Sequence, residues 1–288
     1  MSGEPWPAPA KLNLFLHVNG RRADGYHEIQ TVFQLIDLAD RLHFSPRLDR
    51  EIRRSEGPAD IVPDTDLSVR AARRLQEATG FDGGVDIRLE KRIPVQGGLG
   101  GGSSDAATTL VALNEMWGLR LAPSLLAELG LEIGADVPFF VHGQTAWAEG
   151  VGERLTPLEL PERHFALVFP GVGVSTAEVF QAPELTRKTP KTTIRGFLQA
   201  GGHNDCEPVV AGRSPEVRRA LTWLSGRGQA RMTGTGSSVF AAFADRGSAE
   251  AALEGLPPGW RGYVARGLGR STLQERLAAE RSRGSVRV

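Results

Sequence analysis

The stretch Pro94-Val-Gln-Gly-Gly-Leu-Gly-Gly-Gly-Ser-Ser-Asp-Ala-Ala107 sets a cluster of glycines directly before an apolar, alanine-rich segment with helical periodicity. Gly97, Gly98, Gly100, Gly101 and Gly102 carry no Cβ, so the backbone there is expected to adopt positive φ and to approach a ligand closely. Leu99 lies within the cluster, and Ser103, Ser104 and Asp105 follow it as N-cap oxygens for a helix carried inward by Ala106, Ala107, Leu110, Val111 and Leu113. The free N–H groups and partial positive charge of a helix N-terminus attract an anion, and the anion expected here is a nucleotide phosphate. Spacing rules out two familiar cradles. A Walker A loop needs a lysine after its glycines, but Gly102 is followed by Ser103 and Ser104. A dinucleotide fingerprint counted from Gly98 and Gly100 meets Ser103 where its third glycine belongs. A flexible glycine linker is the plain alternative, but linkers rarely end in a serine cap fused to an amphipathic helix.

Upstream of the loop, Val85 to Leu89 alternates as a strand, and Asp64 or Thr65 can cap a helix through Leu67, Val69, Ala71, Ala72 and Leu75 that stops near Gly80. Lys11 to His17 reads as a strand entered from a proline-broken segment; a turn is expected at Asn19-Gly20, before a β-rich run from Ile29 to Leu38. Downstream, Ser124 to Leu131 is helical, Gly134 to Pro138 interrupts, and Ala146 to Gly152 starts a strand. Strands at Phe165 to Phe169, Val239 to Phe243 and Tyr263 to Ala265 alternate with helices near Ser214 to Leu224 and Ser248 to Glu254. The pattern is α+β in two units, 1–155 and 156–288, with the boundary where glycine, proline and charge accumulate from Gly152 to Pro161. The segment from Glu275 to Val288 reads as a helix end fraying into disorder.

The chain has 288 residues, 40% hydrophobic and 24% charged, which describes a soluble globular protein. Lys plus Arg and Asp plus Glu both number 34, so there is no global electrostatic case for nucleic acid or a membrane surface. Cys206 is the single cysteine; it excludes an internal disulfide and a cysteine zinc site, and reads as a buried small hydrophobe. The first ten residues lack a basic n-region and an apolar h-region, and a cytoplasmic location is expected.

Phosphate chemistry also needs a carboxylate for the acceptor and a cation for developing charge. Asp136, within Gly134-Ala-Asp-Val-Pro-Phe-Phe140, is the candidate carboxylate, with a plain helix cap as the alternative. Lys11 is the candidate cation; alone it would read as a solvated strand-edge lysine, and pairing with Asp136 would change that. Lys91 and Arg92 stand just before the loop, where they would neutralise phosphate or form a solvated charge pair. Tyr26 and His27 sit on a glycine turn suited to a base or sugar, and Phe180 would supply the second face of a stack or a core contact. A second glycine cluster, Thr233-Gly-Thr-Gly-Ser-Ser238, would close over the phosphates or simply turn into the next strand.

Three segments together, Pro9 to Leu14, Pro94 to Ala107 and Thr233 to Phe240, resemble the GHMP kinase superfamily, and the resemblance runs from about Trp6 to Leu273. Further motifs at Arg22 to His27, Thr31 to Gln34, Gly134 to Pro138, Ala148 to Gly152 and Asn204 to Glu207 narrow it to members that act on a cytidine diphosphate-linked methylerythritol. The resemblance implies a ribosomal-protein-S5-like N-terminal domain, a ferredoxin-like C-terminal domain and a cleft between them. It implies ATP-dependent phosphorylation of the acceptor's 2-hydroxyl with Mg²⁺ bridging the phosphates, as part of non-mevalonate isoprenoid synthesis. Asp136 would then be the base and Lys11 its partner. Asn13, Tyr26, His27, Thr176 and Phe180 would hold the cytidine diphosphate part, with Tyr26 and Phe180 sandwiching the base and His27 reading its edge. Lys91, Pro94 and Gly97 through Ser104 would contact ATP. Two residues depart from the family pattern: Asp66, where relatives carry Asn near the adenine, and Gln96, where Gly or Ala is common. The metal ligands stay open, with Ser104, Ser103 and a capping-only role as alternatives. Another acceptor such as homoserine or mevalonate, and a nucleotide binder without catalysis, are the rival functions; Tyr26 with Phe180 weighs against the first and Lys11 with Asp136 against the second.

Overall fold

The computed structural model describes residues 4–285. Its elements are β1 (Trp6–Arg21), β2 (His27–Arg47), β3 (Ile52–Glu56), α1 (Leu67–Thr79), β4 (Gly84–Glu90), α2 (Gly101–Met116), α3 (Pro123–Leu131), α4 (Val137–His142), β5 (Ala146–Gly150) and β6 (Arg154–Pro157). They continue as β7 (His164–Phe169), α5 (Thr176–Gln181), α6 (Ile194–Ala200), α7 (Cys206–Arg213), α8 (Pro215–Ser225), β8 (Arg231–Met232), β9 (Val239–Phe243), α9 (Arg246–Ala251), β10 (Arg261–Leu268) and α10 (Thr272–Ser285).

β2 organises the sheet. Antiparallel β1 lies along one of its edges from Arg21, opposite His27, to Trp6, opposite Leu42. The other edge receives β5 at Ile29 to Phe33, β10 at Leu35 and Ile36, and β4 at Arg41 to Arg47. β10 continues into pairing with β7, beyond which lie β9 and β8, so a single strand joins the N-terminal and C-terminal parts of the sheet. Pro7 and Pro9 are tolerated within β1 because proline needs no ladder donor on an edge strand. That edge is covered instead by loops: Lys11 N–H donates to Leu99 O at 3.0 Å and Leu16 N–H to His203 O at 2.9 Å.

At the crossing of β2, β5 and β10, two buried side chains satisfy several backbone groups. Thr145 Oγ1 donates to Leu268 O at 2.7 Å and accepts from Leu35 N at 3.0 Å and Gln34 Nε2 at 3.1 Å. Gln34 Nε2 also donates to Leu268 O at 2.9 Å. An apolar seam of Ala10, Leu12, Ile36, Phe165, Leu167 and Ala265 packs beside this knot, between one core built on α1 to α4 and another built on α7 to α9.

Several local expectations change. Asn19 and Gly20 lie inside β1, with Gly20 opposite Glu28; the turn comes later, where Arg22 N–H donates to Tyr26 O at 2.8 Å and Asp24 accepts from Tyr26 N. Asp66 caps α1, in place of Asp64 or Thr65, because a 3-10 turn over Pro63–Thr65 consumes those residues. Phe139 to Val141 belongs to a short helix entered through Pro138, a favourable first-turn position for proline. The tail does not fray at Glu275: α10 runs to Ser285 and packs on β1 and α2, with Arg276 over the Trp6 ring at 4.7 Å and Arg281 bonded to Glu115 at 2.8 Å. Residues 286–288 of that expectation lie outside the described residues. Residue 155 falls within β6, which pairs with β5. Cys206 is fully buried, and burial pushes its thiol up to about 12. Among the described residues no helix is long and apolar enough to cross a membrane.

Thr145→Val keeps the shape of the side chain and removes the hydroxyl, stranding Leu35 N–H and part of Leu268 C=O. Unfolding in urea is expected to show a loss of about 1–3 kcal/mol; unchanged stability would mean that the knot does not hold the seam.

Candidate active site

A cleft of about 1060 Å³ runs from the N-terminus of α2 to the tip of the β1–β2 hairpin and the end of α5. Its lining includes Lys11, Asn13, Tyr26, His27, Lys91, Pro94, Gly97 to Ser103, Asp136, Thr176 and Phe180. The expected site residues therefore meet in one place, apart from Ser104.

At one end the phosphate loop enters α2 through Gly100, which stands at the N-cap with φ 72° and offers no capping side chain. The first-turn amides of a 16-residue helix are thus left without a side-chain partner at the cleft. Of the five loop glycines, Gly98 and Gly100 have left-handed backbone, so the positive φ expected at Gly97, Gly101 and Gly102 is corrected. At those positions glycine provides space: a Cβ on Gly97 would lie 2.9 Å from Ser238 Oγ, and one on Gly101 would lie 3.0 Å from Ile93 Cγ2. Gln96 adopts φ 55° without being glycine, a left-handed position that glycine would take at less cost.

The capping role expected of Ser103, Ser104 and Asp105 is corrected too. Ser104 is buried and its Oγ donates to Pro9 O at 2.6 Å, tying α2 to β1. Asp105 is buried one turn into the helix and bonds Lys91 Nζ at 2.8 Å. Lys91 Nζ also bonds Asp40, whose other oxygen takes the N–H groups of Arg92 at 2.5 Å and Ile93 at 2.8 Å. Burial opposes the charge on Lys91, but Asp105 and Asp40 outweigh it and hold the ammonium above the ordinary lysine range. Burial in turn raises the Asp105 carboxyl well above its ordinary value, against the pull of Lys91. Lys91 thus borders the cleft with its charge already matched, and the Arg92 side chain points to solvent. Asp66 is similarly committed: it accepts from Ser68 N at 2.9 Å and pairs with buried Arg54 at 2.7 Å, while Arg54 Nη2 holds Pro58 O and Ile61 O.

In the middle of the cleft, Lys11 is 4% exposed and its Nζ lies 3.4 Å from Asp136 Oδ2. That pairing removes the solvated-lysine alternative. Asp136 occupies the N-cap position of α4, yet its side chain makes no capping bond and remains available to the cleft. Asn13 Oδ1 takes a second bond from Lys11, while Asn13 Nδ2 donates to Thr31 Oγ1 and Asn13 N to Thr233 Oγ1, both at 2.9 Å. The second glycine turn closes the floor: Thr233 Oγ1 donates to Gly98 O at 3.2 Å and Ser238 N to Gly97 O at 3.1 Å.

At the far end, Thr176 Oγ1 and Thr235 Oγ1 are 2.9 Å apart. The His27 ring stacks on Phe180 with centroids 5.1 Å apart, and Tyr26 stands 62% exposed at the hairpin tip. His27 is the ring that lies against Phe180, and Arg187 Nε donates to His27 Nε2 at 3.1 Å. Asp40 and Arg187 were not singled out in the sequence; Asp40 follows an alternating strand as any outward polar residue would, and Arg187 sits in a loop without a motif.

Gly98→Ala is expected to destabilise the protein by about 2 kcal/mol or more, because φ is 74° there and the Cβ would collide with Thr233 O and lie 2.9 Å from Gly236 O. Thermal unfolding checks this; a variant of parental stability would mean that the two turns separate without cost.

Known proteins resemble this chain over most of its length. The model of the GHMP kinases N-terminal domain matches residues 66–144 and that of the GHMP kinases C-terminal domain matches residues 186–260. A 4-diphosphocytidyl-2-C-methyl-D-erythritol kinase of Alkalilimnicola ehrlichii is 57% identical over 275 residues, covering 96% of this chain and 94% of the relative. The kinase of the same name from Halorhodospira halophila is 55% identical, covering 95% of this chain and 96% of its own. Among solved structures, a 4-(cytidine 5'-diphospho)-2C-methyl-D-erythritol kinase superposes with a TM-score of 0.81 at 37% identity, covering 92% of this chain and 100% of that one. A homoserine kinase from Cytophaga hutchinsonii superposes with a TM-score of 0.65 at 17% identity over 83% of this chain and 89% of its own, a likeness of fold alone. With its N-terminal and C-terminal segments both matched and its relatives aligned along nearly their whole length, the chain belongs to the GHMP kinases, in the family of the 4-diphosphocytidyl-2-C-methyl-D-erythritol kinases.

Proposed function

We propose that this protein transfers the γ-phosphoryl group of ATP to the 2-hydroxyl of 4-diphosphocytidyl-2-C-methyl-D-erythritol, in non-mevalonate isoprenoid precursor synthesis. The observation that carries the reading is the Lys11–Asp136 pair, 3.4 Å apart, between an uncapped helix N-terminus at one end of the cleft and a ring-lined recess at the other. The γ-phosphate faces the acceptor hydroxyl across this pair. The hydroxyl oxygen forms a bond to phosphorus in line with the breaking bond to the β-phosphate oxygen, ADP leaves, and Asp136 takes the hydroxyl proton. Lys11, kept in place by Asn13 Oδ1, orients the hydroxyl and balances the charge that develops on the transferring group. Pro94, Gly97, Gly98, Leu99, Gly100, Gly101, Gly102 and Ser103 cradle the phosphates, and Lys91 backs the cradle. Asn13, Tyr26, His27, Thr176 and Phe180 hold the cytidine diphosphate part. The same reading divides the chain into an N-terminal unit, 1–155, that carries the phosphate loop and a C-terminal unit, 156–288, that carries Phe180, and puts the enzyme in the cytoplasm.

Mg²⁺ suits the donor set, since a hard cation takes oxygen ligands and the cleft offers the Ser103 hydroxyl beside the phosphate cradle. Ser104 is unsuited because its hydroxyl is buried against Pro9 O. When bound, the ion neutralises phosphate charge.

The first assay is ADP release by purified protein with ATP and Mg²⁺. Turnover is expected with the cytidylyl acceptor and absent with homoserine or mevalonate; the reverse preference would overturn the acceptor, and ATP binding without ADP release would overturn catalysis. Asp136→Asn should lower kcat by about 10²-fold or more with ATP affinity nearly unchanged. Near-parental turnover in that variant would remove Asp136 as the base. Phe180→Ala should raise the KM for the acceptor by about tenfold with little change for ATP; an effect confined to the ATP KM would refute the ring-lined recess as the base site.

A further inference from the structure

The acceptor end of the cleft is tied together by a side chain that takes no part in the transfer. Arg187, in the loop after α5, donates from Nη2 to Phe180 O at 3.0 Å and Ala182 O at 2.7 Å, and from Nη1 to Leu185 O at 3.1 Å. Its Nε donates to His27 Nε2 at 3.1 Å. A guanidinium has donors and no acceptor, so His27 Nε2 must accept, and a neutral imidazole in this position carries its proton on Nδ1. Partial burial, followed by the charges of Arg187 and Arg21, lowers the pKa of His27 and so favours the neutral ring. The ring lines the cleft, stacked on Phe180, and Nδ1 has no protein partner among the described residues.

We propose that Arg187 is a positioning residue that fixes His27 as an Nδ1–H donor and thereby makes the acceptor site select cytosine over uracil. This rests on the reading of the recess as a pyrimidine site. Cytosine presents N3 and O2 as acceptors on its pairing edge, whereas N3 of uracil carries a hydrogen. A fixed donor facing N3 matches cytosine and opposes uracil. An imidazole free to move its proton to Nε2 would turn Nδ1 into an acceptor and welcome uracil, and the guanidinium closes that option. Selectivity of this kind comes from an interaction built against the wrong base as well as for the right one.

Two measurements test it. Protein labelled with ¹⁵N-histidine, studied above the ordinary histidine pKa, should show His27 in the Nδ1–H form by two-bond nitrogen–proton correlation. An Nε2–H pattern in the parental protein overturns the proposal, and this readout needs no variant, so it decides even if a substitution prevents folding. In the second, kcat/KM is compared for cytidine and uridine diphosphate-linked methylerythritol in the parental protein and in Arg187→Met. The parental preference for cytidine should fall on the order of tenfold in the variant, together with appearance of the Nε2–H signal. Equal loss for both acceptors, or no preference in the parental enzyme, overturns it. Failure of the parental enzyme to turn over either acceptor would instead remove the pyrimidine reading and the proposal with it, and the spectrum would then separate a wrong substrate from a wrong tautomer.

Discussion

Two backbones meet without side chains at the floor of the cleft, and the rest of the site depends on that approach. Gly98 stands so close to Thr233 and Gly236 that a single added carbon would force the turns apart. Between them, Thr233 Oγ1 accepts from Asn13 N and donates to Gly98 O, so one hydroxyl registers the first strand, the phosphate loop and the second glycine turn against each other. Lys11 and Asn13 are placed by the same strand, which is why the Lys11–Asp136 pair and the glycine loop share a frame.

Around this floor the protein buries charge in matched groups. Lys91 with Asp40 and Asp105 lies behind the loop, and Arg54 with Asp66 lies beside it at the start of α1. Removing a charge from water is costly, and each group offsets the loss with several hydrogen bonds; deleting one partner would leave the other exposed to the full penalty, about 3–5 kcal/mol. Their contribution is geometric. Asp40 gathers the amides that lead into the loop, and Arg54 gathers the carbonyls of the segment before α1. The net charge of zero hides this, because composition does not record which charges have been taken out of solvent.

What was legible in the sequence was what local chemistry dictates. The glycine loop, the helix after it, Lys11 and Asp136 announce themselves by residue type and neighbours, and the long alternating runs gave the strands. Residues whose work depends on a distant partner were silent or misread. Asp105 sits where a cap would sit, yet its partners are Lys91 and, through it, Asp40; Ser104 faces Pro9 rather than its own helix. Asn19-Gly20 is a strong hairpin signal, but Asp24-Gly25 lies close behind it, and pairing of Val18 with Ile29 and Gly20 with Glu28 settles the competition in favour of the longer hairpin. Strands as short as β8 carry too few residues for a period to show.

The last helix has a consequence in time. α10 covers β1, with Leu273 in the core beneath α1 to α4 and Arg276 over Trp6, so the strand that carries Lys11 receives its cover from a helix that most of the chain separates from it. At a translation speed of roughly 5–20 residues per second, the nascent strand waits many seconds for its lid. The strand that carries Lys11 is therefore covered only after α10 has been made, and a chain that stops short of α10 leaves the face of β1 around Trp6 bare.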